Sequence, residues 1–495
     1  MRKPRGGAGR AAIMLAALGL VAAACTDEGL DETTDTSVAA PSDAEPEADP
    51  GDDEEADQAD QTDEAAPPDG PPETVDGLPD NAVGRRIDAI LGAAIDGTIT
   101  EADAAEALDE TFEAQVSPAE FVAVSGQIAG LLGRGPVVSS VQVDTATTFV
   151  GNLLNPTNGN EYVLSAQVGV TAPHEFRQLL IVPLPPEATP ADVADLEAAD
   201  AAWRALAPGA DLVVTSEIGP STGADVCPSG GEALAIGSAF KFYVLGAVAT
   251  AVDEGTVAWT DEIVLDEARY SFPSGQLQLE EPGTTVTVAQ AAELMIGISD
   301  NTATDHLIAL VGRDAVEAEQ ARLGHEQPER NLPFFTTREL FLLKLGDPIR
   351  LGLVADGDEA ERRAVLDDLA DEDLPEIDGS EFTEPTAIDV EWLATVGDLC
   401  RAVNLLDERA VDHPEIAAAL RSGRGLDLNP RTWPVVSFKG GSEPGVLSGT
   451  WLAEHESGRR FTISGILNDP ESPVDNGAAL ALVARIFDIL EEQLS

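Results

Sequence analysis

Apolar positions along this chain follow a helical period first and a strand period afterwards, with the change near Gly135. Ile87, Ile90 and Leu91 share one helical face, and Phe121, Val124, Ile128, Leu131 and Leu132 recur at helical spacing. Ser117-Pro118-Ala119-Glu120 reads as a helix start with Pro at the first helical position, and Thr100 with Asp103 reads as another. Beyond Gly133-Arg134-Gly135-Pro136 the period changes. Val138–Val143, Tyr162–Val170 and Phe176–Val182 are predicted strands, the middle one alternating through Tyr162, Leu164, Ala166, Val168 and Val170. Helices followed by a run of strands imply a small α+β domain over residues 83–183. It carries no chemical constellation, and Tyr162 and His174 read as packing residues.

A linker is expected from Pro183 to Thr189, and a second domain over residues 190–495. A helix from Pro190 or Ala191 to Leu206 leads into a strand, Asp211–Ile218. Helices follow from Ser238 to about Glu254, with Gly255 as the stop, from Val288 to Ile298, and from about Thr302 onward. The last third holds strands Val435–Lys439, Ser448–Glu456 and Arg459–Leu467, the latter two a hairpin over Ser457-Gly458, and an amphipathic helix Asn476–Leu494. Strand first, helices in the middle, strands and a helix last: the two ends meet in one antiparallel sheet packed by helices. The fold class is α+β, without a repeat of solenoid period.

Charge narrows the partners. The 495 residues hold 28 basic and 90 acidic side chains, a net charge of -62, which disfavours nucleic acid and anionic lipid headgroups. Residues 26–82 are rich in Asp, Glu, Ala, Pro and Thr and bury too little apolar surface to offset chain entropy, so a disordered acidic linker is expected. Ahead of it, Arg2, Lys3, Arg5 and Arg10 precede an apolar run from Ala11 to Ala24, the pattern of an export signal over residues 1–25. The run ends Val21-Ala22-Ala23-Ala24-Cys25, similar to a bacterial lipobox with Ala22 where Leu or Val is commoner. In that reading lipidated Cys25 anchors an exported protein to the outer face of the membrane; the alternative is simple secretion. Cys227 and Cys400 remain, and their pairing is left open with two separate thiols slightly favoured. No zinc spacing surrounds them.

Three short elements carry the chemistry: Ser238-Ala239-Phe240-Lys241, Ser299-Asp300-Asn301 and Lys439-Gly440-Gly441. Positions three apart share a helical face, so Lys241 is expected beside the Ser238 hydroxyl, near the positive end of a helix. Burial and a neighbouring cation would bring the Lys241 amine into the range of a general base. Ser299, on an interhelical turn, can pass a proton to a leaving group, while Asn301 can hold Lys241 and donate to a substrate carbonyl. Asp300 is expected to brace the turn. Gly440 and Gly441 let substrate lie against a strand edge, Ser442 and Ser238 N–H groups could pair as an oxyanion hole, and Lys439 supplies charge. Each element is weak alone; their order together points to a serine nucleophile with a lysine base.

With those residues, the chain from about Asp211 onward resembles the penicillin-recognising serine enzymes, class A β-lactamases and penicillin-binding proteins. Ile236-Gly237-Ser238-Ala239-Phe240-Lys241, Ser299 to His306, and Val390-Glu391-Trp392 ahead of Asp398-Leu399-Cys400 further resemble the two-domain β-lactamase-like hydrolases of clavulanic acid clusters. The resemblance implies a cone-shaped, isomerase-like fold for the first domain. It implies an acyl-enzyme at Ser238 on a β-lactam or small ester, with no cofactor and no metal. Two departures stand out: Gly440 replaces the Thr or Ser of the family pattern, and no E-x-x-L-N lies between His306 and Val390, where Glu376, Glu381 and Glu384 are the candidates. Slow turnover is therefore expected. The rival expectations are a D-alanyl-D-alanine carboxypeptidase or transpeptidase acting on a cell-wall peptide, and a non-hydrolytic module that senses a β-lactam or muropeptide.

Overall fold

The computed structural model describes residues 74–494, apart from 114–115, 158, 184–192, 217–222, 272, 371, 373 and 375–383. The export signal, Cys25, the acidic linker as far as residue 73, Glu376 and Glu381 lie outside the described residues, as does the expected interdomain linker beyond Pro183.

Order begins earlier than the acidic composition suggested. Val75 is buried and its N–H donates to Asp88, and Asp76 bridges in parallel to Val137. Residues 75–81 thus belong to the folded body: one apolar side chain and backbone pairing outweigh the polar neighbours. Helix α1 (Ala82–Asp96) is capped by Asn81 and closes on Gly97 in the left-handed region. Two short helices, α2 (Glu101–Ala107) and α3 (Glu110–Glu113), precede α4 (Pro118–Leu132), whose start is a capping box between Ser117 and Glu120.

Strands β1 (Val137–Asp144), β2 (Thr148–Leu154), β3 (Glu161–Val168) and β4 (Phe176–Pro183) form an antiparallel sheet in that order. Strand β2 was not expected. It is buried on both faces, so it does not alternate, and Gly151 and Asn152 interrupt its apolar run. Both interruptions have causes: a Cβ at residue 151 would meet Ser140 O at 2.4 Å, and Asn152 donates to Asp427 in the second domain.

The second domain begins with α5 (Leu196–Arg204) and β5 (Gly209–Ser216). A two-residue strand, β6 (Leu234–Ala235), leads into a 3₁₀ turn, Gly237–Phe240, and the central helix α6 (Lys241–Asp253). The short pair β7 (Glu262–Val264) and β8 (Thr285–Thr287) precedes α7 (Val288–Gly297) and α8 (Asn301–Val311). Helices α9 (Arg313–Arg322), α10 (Thr337–Leu345), α11 (Pro348–Asp356) and α12 (Glu359–Leu369) continue the helical layer. Strand β9 (Leu393–Ala394) pairs with β6, and α13 (Val396–Arg409) and α14 (Pro414–Arg421) lead to β10 (Val435–Glu443), β11 (Val446–Glu454) and β12 (Arg460–Asn468). Helix α15 (Asn476–Leu494) closes the chain.

The sheet order is β10-β11-β12-β5, all antiparallel, so the first and last strands of the domain do meet. Alternation along β11 and β12 divides two cores. Trp451, Ala453, Phe461 and Ile463 join Trp203, Trp433 and Phe487 under α5 and α15. Leu452 and Ile466 face the cluster built around α6, α7 and α13. The architecture is α+β, an antiparallel sheet packed by helices, as expected. Cys227 and Cys400 are joined by a disulfide, with Cα atoms 5.7 Å apart, which overturns the preference for two separate thiols. Tertiary proximity, absent from a spacing of 173 residues, decided it.

Candidate active site

Ser238 sits in the 3₁₀ turn, and the α-helix expected to open at Ser238 begins three residues later, at Lys241. The tighter turn strengthens the predicted relation, because side chains three apart eclipse in a 3₁₀ helix. That geometry directs Ser238 and Lys241 toward one side, although the hydrogen bonds of Lys241 Nζ go to Ser299 and Asn301 rather than to the Ser238 hydroxyl. Packing holds the turn from below: Phe240 stacks on Trp392 with ring centroids 3.6 Å apart and meets Phe334 edge-on. On the strand side, Ser448 Oγ donates to Ile236 O at 2.6 Å, and Asn468 both accepts from Ala235 N and donates to Ala235 O. Gly237 takes φ +48° with the backbone of Gly441 and Ser442 directly against it. Ser238 itself is partly exposed between buried neighbours.

Lys241 is fully buried, and its Nζ donates to Ser299 O (2.7 Å), Ser299 Oγ (3.0 Å) and Asn301 Oδ1 (2.6 Å). Among the described residues no carboxylate contacts it. Burial lowers its pKa from 10.5 to about 7, partly offset by the more distant charges of Asp300 and Asp305. An ammonium has three hydrogens for these three oxygens. When the proton leaves, one contact must reverse, and only the Ser299 hydroxyl can donate in return. Loss of a proton at Lys241 is thus coupled to the orientation of Ser299.

Ser299 adopts φ +58°, an uncommon conformation for a residue with a side chain, maintained only where surroundings enforce it. Asp300 enforces it from within the turn. One carboxylate oxygen caps α8 through Ala303 N, and the other accepts from Gln276 N (2.7 Å) and Leu277 N (3.0 Å). Burial raises the Asp300 pKa against those three N–H donors. Ser274 adds a donor to Ser299 O at 2.7 Å and accepts from Asn301 N. Beyond the turn, burial raises Asp305 to about 7 despite N–H donors from Thr337 and Arg338.

Lys439 reaches the same hydroxyl from the edge strand: its Nζ donates to Ser299 Oγ (3.0 Å) and Gly440 O (2.7 Å). Burial, then the neighbouring Lys241, hold its pKa well below the usual lysine value. The glycines that follow have separate reasons. A Cβ on residue 441 would fall 2.3 Å from Ser238 N, so strand β10 can approach Ser238 this closely only as glycine. At residue 440 a Cβ would meet the Phe438 ring at 2.9 Å and Ser448 O at 3.1 Å, so a side chain there would require the Phe438 ring to shift. The backbone at Ser442 lies against Gly237, the neighbour of Ser238 N.

The structure therefore brings Ser238, Lys241, Ser299, Asn301, Lys439, Gly440, Gly441 and Ser442 to one place, while Glu384 is exposed. Sequence reasoning missed Ser274 and Gln276, whose roles arise only from where the 274–277 loop lands. It also missed a buried cluster beyond Ser442, where Lys344 pairs with Glu443 and lies 3.6 Å from Glu391. Glu391 stood out in the sequence only within Val390-Glu391-Trp392, and no local pattern marks Lys344 or Glu443 as its partners. Among the described residues, no group of three His, Cys, Asp or Glu could hold a metal ion.

Residues 213–342, which carry two of the three elements, match the model of the Beta-lactamase enzyme family. The matched segment holds Ser238, Lys241, Ser299 and Asn301, and Lys439 to Ser442 lie beyond it. None of the curated proteins matches the chain. Among solved structures, similarity extends to a β-lactamase from Sphaerobacter thermophilus DSM 20745, at 25% identity over 59% of this chain and 94% of that one, TM-score 0.39. PBP-A is similar at 18% identity over 63% of this chain and all of its own, TM-score 0.35. A class A β-lactamase representative from Bacteroides cellulosilyticus DSM 14838 is similar at 17% identity, covering 60% and 96%, TM-score 0.40.

Proposed function

We propose that this chain is a serine hydrolase that forms an acyl-enzyme at Ser238 with a β-lactam or small ester and hydrolyses it slowly. The observation that supports the reading is the buried Lys241 amine, which meets only neutral oxygens and titrates near pH 7. In this reading neutral Lys241 takes the Ser238 proton as Oγ bonds to the carbonyl carbon. The carbonyl oxygen gains negative charge facing the N–H groups of Ser238 and Ser442. Collapse of the adduct breaks the bond to the amine or alkoxide, which receives a proton from Ser299 Oγ. Ser299 regains it from the Lys241 ammonium, and Lys439 fixes the hydroxyl from the opposite side.

Water must then attack the ester. No carboxylate among the described residues contacts Lys241, Ser299 or Lys439, which favours slow deacylation. The same feature favours a second reading, acyl transfer on a cell-wall peptide. The test is intact-mass and fluorescence measurement after exposure to a fluorescent penicillin. The parent chain gains one adduct, and Ser238→Ala gains none. Equal labelling of the variant would remove Ser238 from the mechanism; hydrolysis of a cell-wall peptide with no action on a cephalosporin would select the second reading. Export and anchoring through Cys25 belong to the same proposal: the terminal pattern supports them, and the Cys227–Cys400 disulfide suits an oxidising compartment. The mass of the mature N-terminus tests that part.

A further inference from the structure

The first domain presents its β1–β2 turn to the back of the Ser299-Asp300-Asn301 turn, with one layer of chain between them. That layer is the loop 274–277. Gln276 is fully buried, and both ends of its side chain bond to the first domain. Its Nε2 donates to Thr147 Oγ1 at 2.7 Å, and its Oε1 accepts from Thr148 Oγ1 at 3.3 Å. Both threonines are themselves buried, and their backbone N–H groups are held by Thr145 Oγ1. On its other side the same loop grips the catalytic turn through Gln276 N, Leu277 N and Ser274 Oγ. The fit is close: Gly275 has φ +113°, and a Cβ there would fall 2.3 Å from Asp300 Cγ.

Two further contacts seat the same turn. Ala146 N donates to Glu293 on α7 at 2.8 Å, and a Cβ on Gly297, at the end of α7, would meet Thr145 Cγ2 at 2.7 Å. Strand β1 also bridges to Gly423, ahead of the edge strand that carries Lys439. The first domain thus touches the supports on both sides of Ser299.

Resting on the function proposed above, we infer that the first domain is a positioning element of the catalytic site: Thr147 and Thr148 hold Gln276, and Gln276 holds the turn that presents Ser299 and Asn301 to Lys241. The physical reason is the unfavourable backbone at Ser299. A residue kept at positive φ relaxes when its surroundings loosen, and its hydroxyl and carbonyl are two of the three acceptors of Lys241. Small displacements of a proton-transfer group cost rate rather than binding.

The experiment uses the full chain and the fluorescent penicillin, with acylation separated into a limiting rate constant and a half-saturating concentration across the pH range of Lys241. Gln276→Leu and Thr147→Val are each expected to lower the limiting rate constant roughly tenfold, to leave half-saturation within about twofold, and to move the pH midpoint. Thr147→Ser, which keeps the hydroxyl, restores parent behaviour. A folded Gln276→Leu or Thr147→Val with parent rate and pH midpoint overturns the inference. So does failure of both to fold while Thr147→Ser folds, because the contact is then structural. Ser238→Ala runs alongside: a parent that does not label at Ser238 overturns the function proposal itself, whereas a parent that labels and a Gln276→Leu that labels equally fast overturn only this inference.

Discussion

Among the described residues, three buried lysines occupy two kinds of site. Lys344 meets carboxylates, pairing with Glu443 and lying 3.6 Å from Glu391. Lys241 and Lys439 are as deeply buried, but their hydrogen bonds go to a hydroxyl, an amide and backbone carbonyls. In the first site two acids surround one cation, and burial together with Glu443 pushes Glu391 up to about 8, so the surplus negative charge is removed by a proton. In the second, no carboxylate touches the ammonium, Asp300 and Asp305 offset burial only in part at Lys241, and burial favours loss of the proton from the lysine instead. Desolvation is common to both; the difference is whether a carboxylate lies within contact. One arrangement fixes the end of β10 next to Ser442, and the other leaves amines whose protons are held less tightly than usual.

Replacing each lysine by methionine separates the two roles. Lys241→Met is expected to slow acylation of Ser238 by about 10³-fold, the range of a lost general base, while remaining at least as stable as the parent at pH 7. Stopped-flow labelling and thermal melts check both halves; a variant that melts early but labels normally would merge the two classes of site. Lys344→Met leaves Glu391 and Glu443 without their cation, and should cost about 3–5 kcal/mol of stability above pH 8, as for other broken buried pairs. The loss should shrink as pH falls, because without the lysine Glu391 takes up a proton more readily than in the parent, where burial raises its value to about 8 and Lys344 keeps it from going higher. Adding Glu391→Gln and Glu443→Gln should recover most of it in denaturant titrations.

The smallest effect tests the electrostatic cause. Acylation should rise with pH and level off above about 7, where Lys241 is neutral. Its folded value lies below the unfolded 10.5, so between those values the unfolded chain binds the extra proton. Stability of the parent relative to Lys241→Met should therefore increase with pH across that window, by about 1.4 kcal/mol per unit at most. A difference that stays flat would place the proton on Lys241 throughout.

Much of the candidate site was legible because it is local. Ser238 and Lys241 are one turn apart, Asp300 and Asn301 directly follow Ser299, and Gly440 and Gly441 directly follow Lys439 in a strand that continues to Glu443, beyond the expected end at Lys439. Helix starts at Thr100 and Ser117 were legible for the same reason, since a capping box closes within four residues. Strand β2 was not, because a strand buried on both faces loses its alternation, and its Gly151 and Asn152 answer to neighbours far along the chain. Val75 was hidden by acidic composition around it.

What the amino-acid order determined alone was the periodicity of most elements and the three short arrays of reactive side chains, all set by backbone geometry over a few residues. Tertiary structure decided the rest: that Lys241 is surrounded by neutral oxygens and Lys344 by acids, that Cys227 meets Cys400, and that Thr147 reaches Gln276. Each of these depends on which distant groups share a buried volume. Burial and the nearest charge set the protonation of an amine, and neither is a property of the residues beside it in sequence.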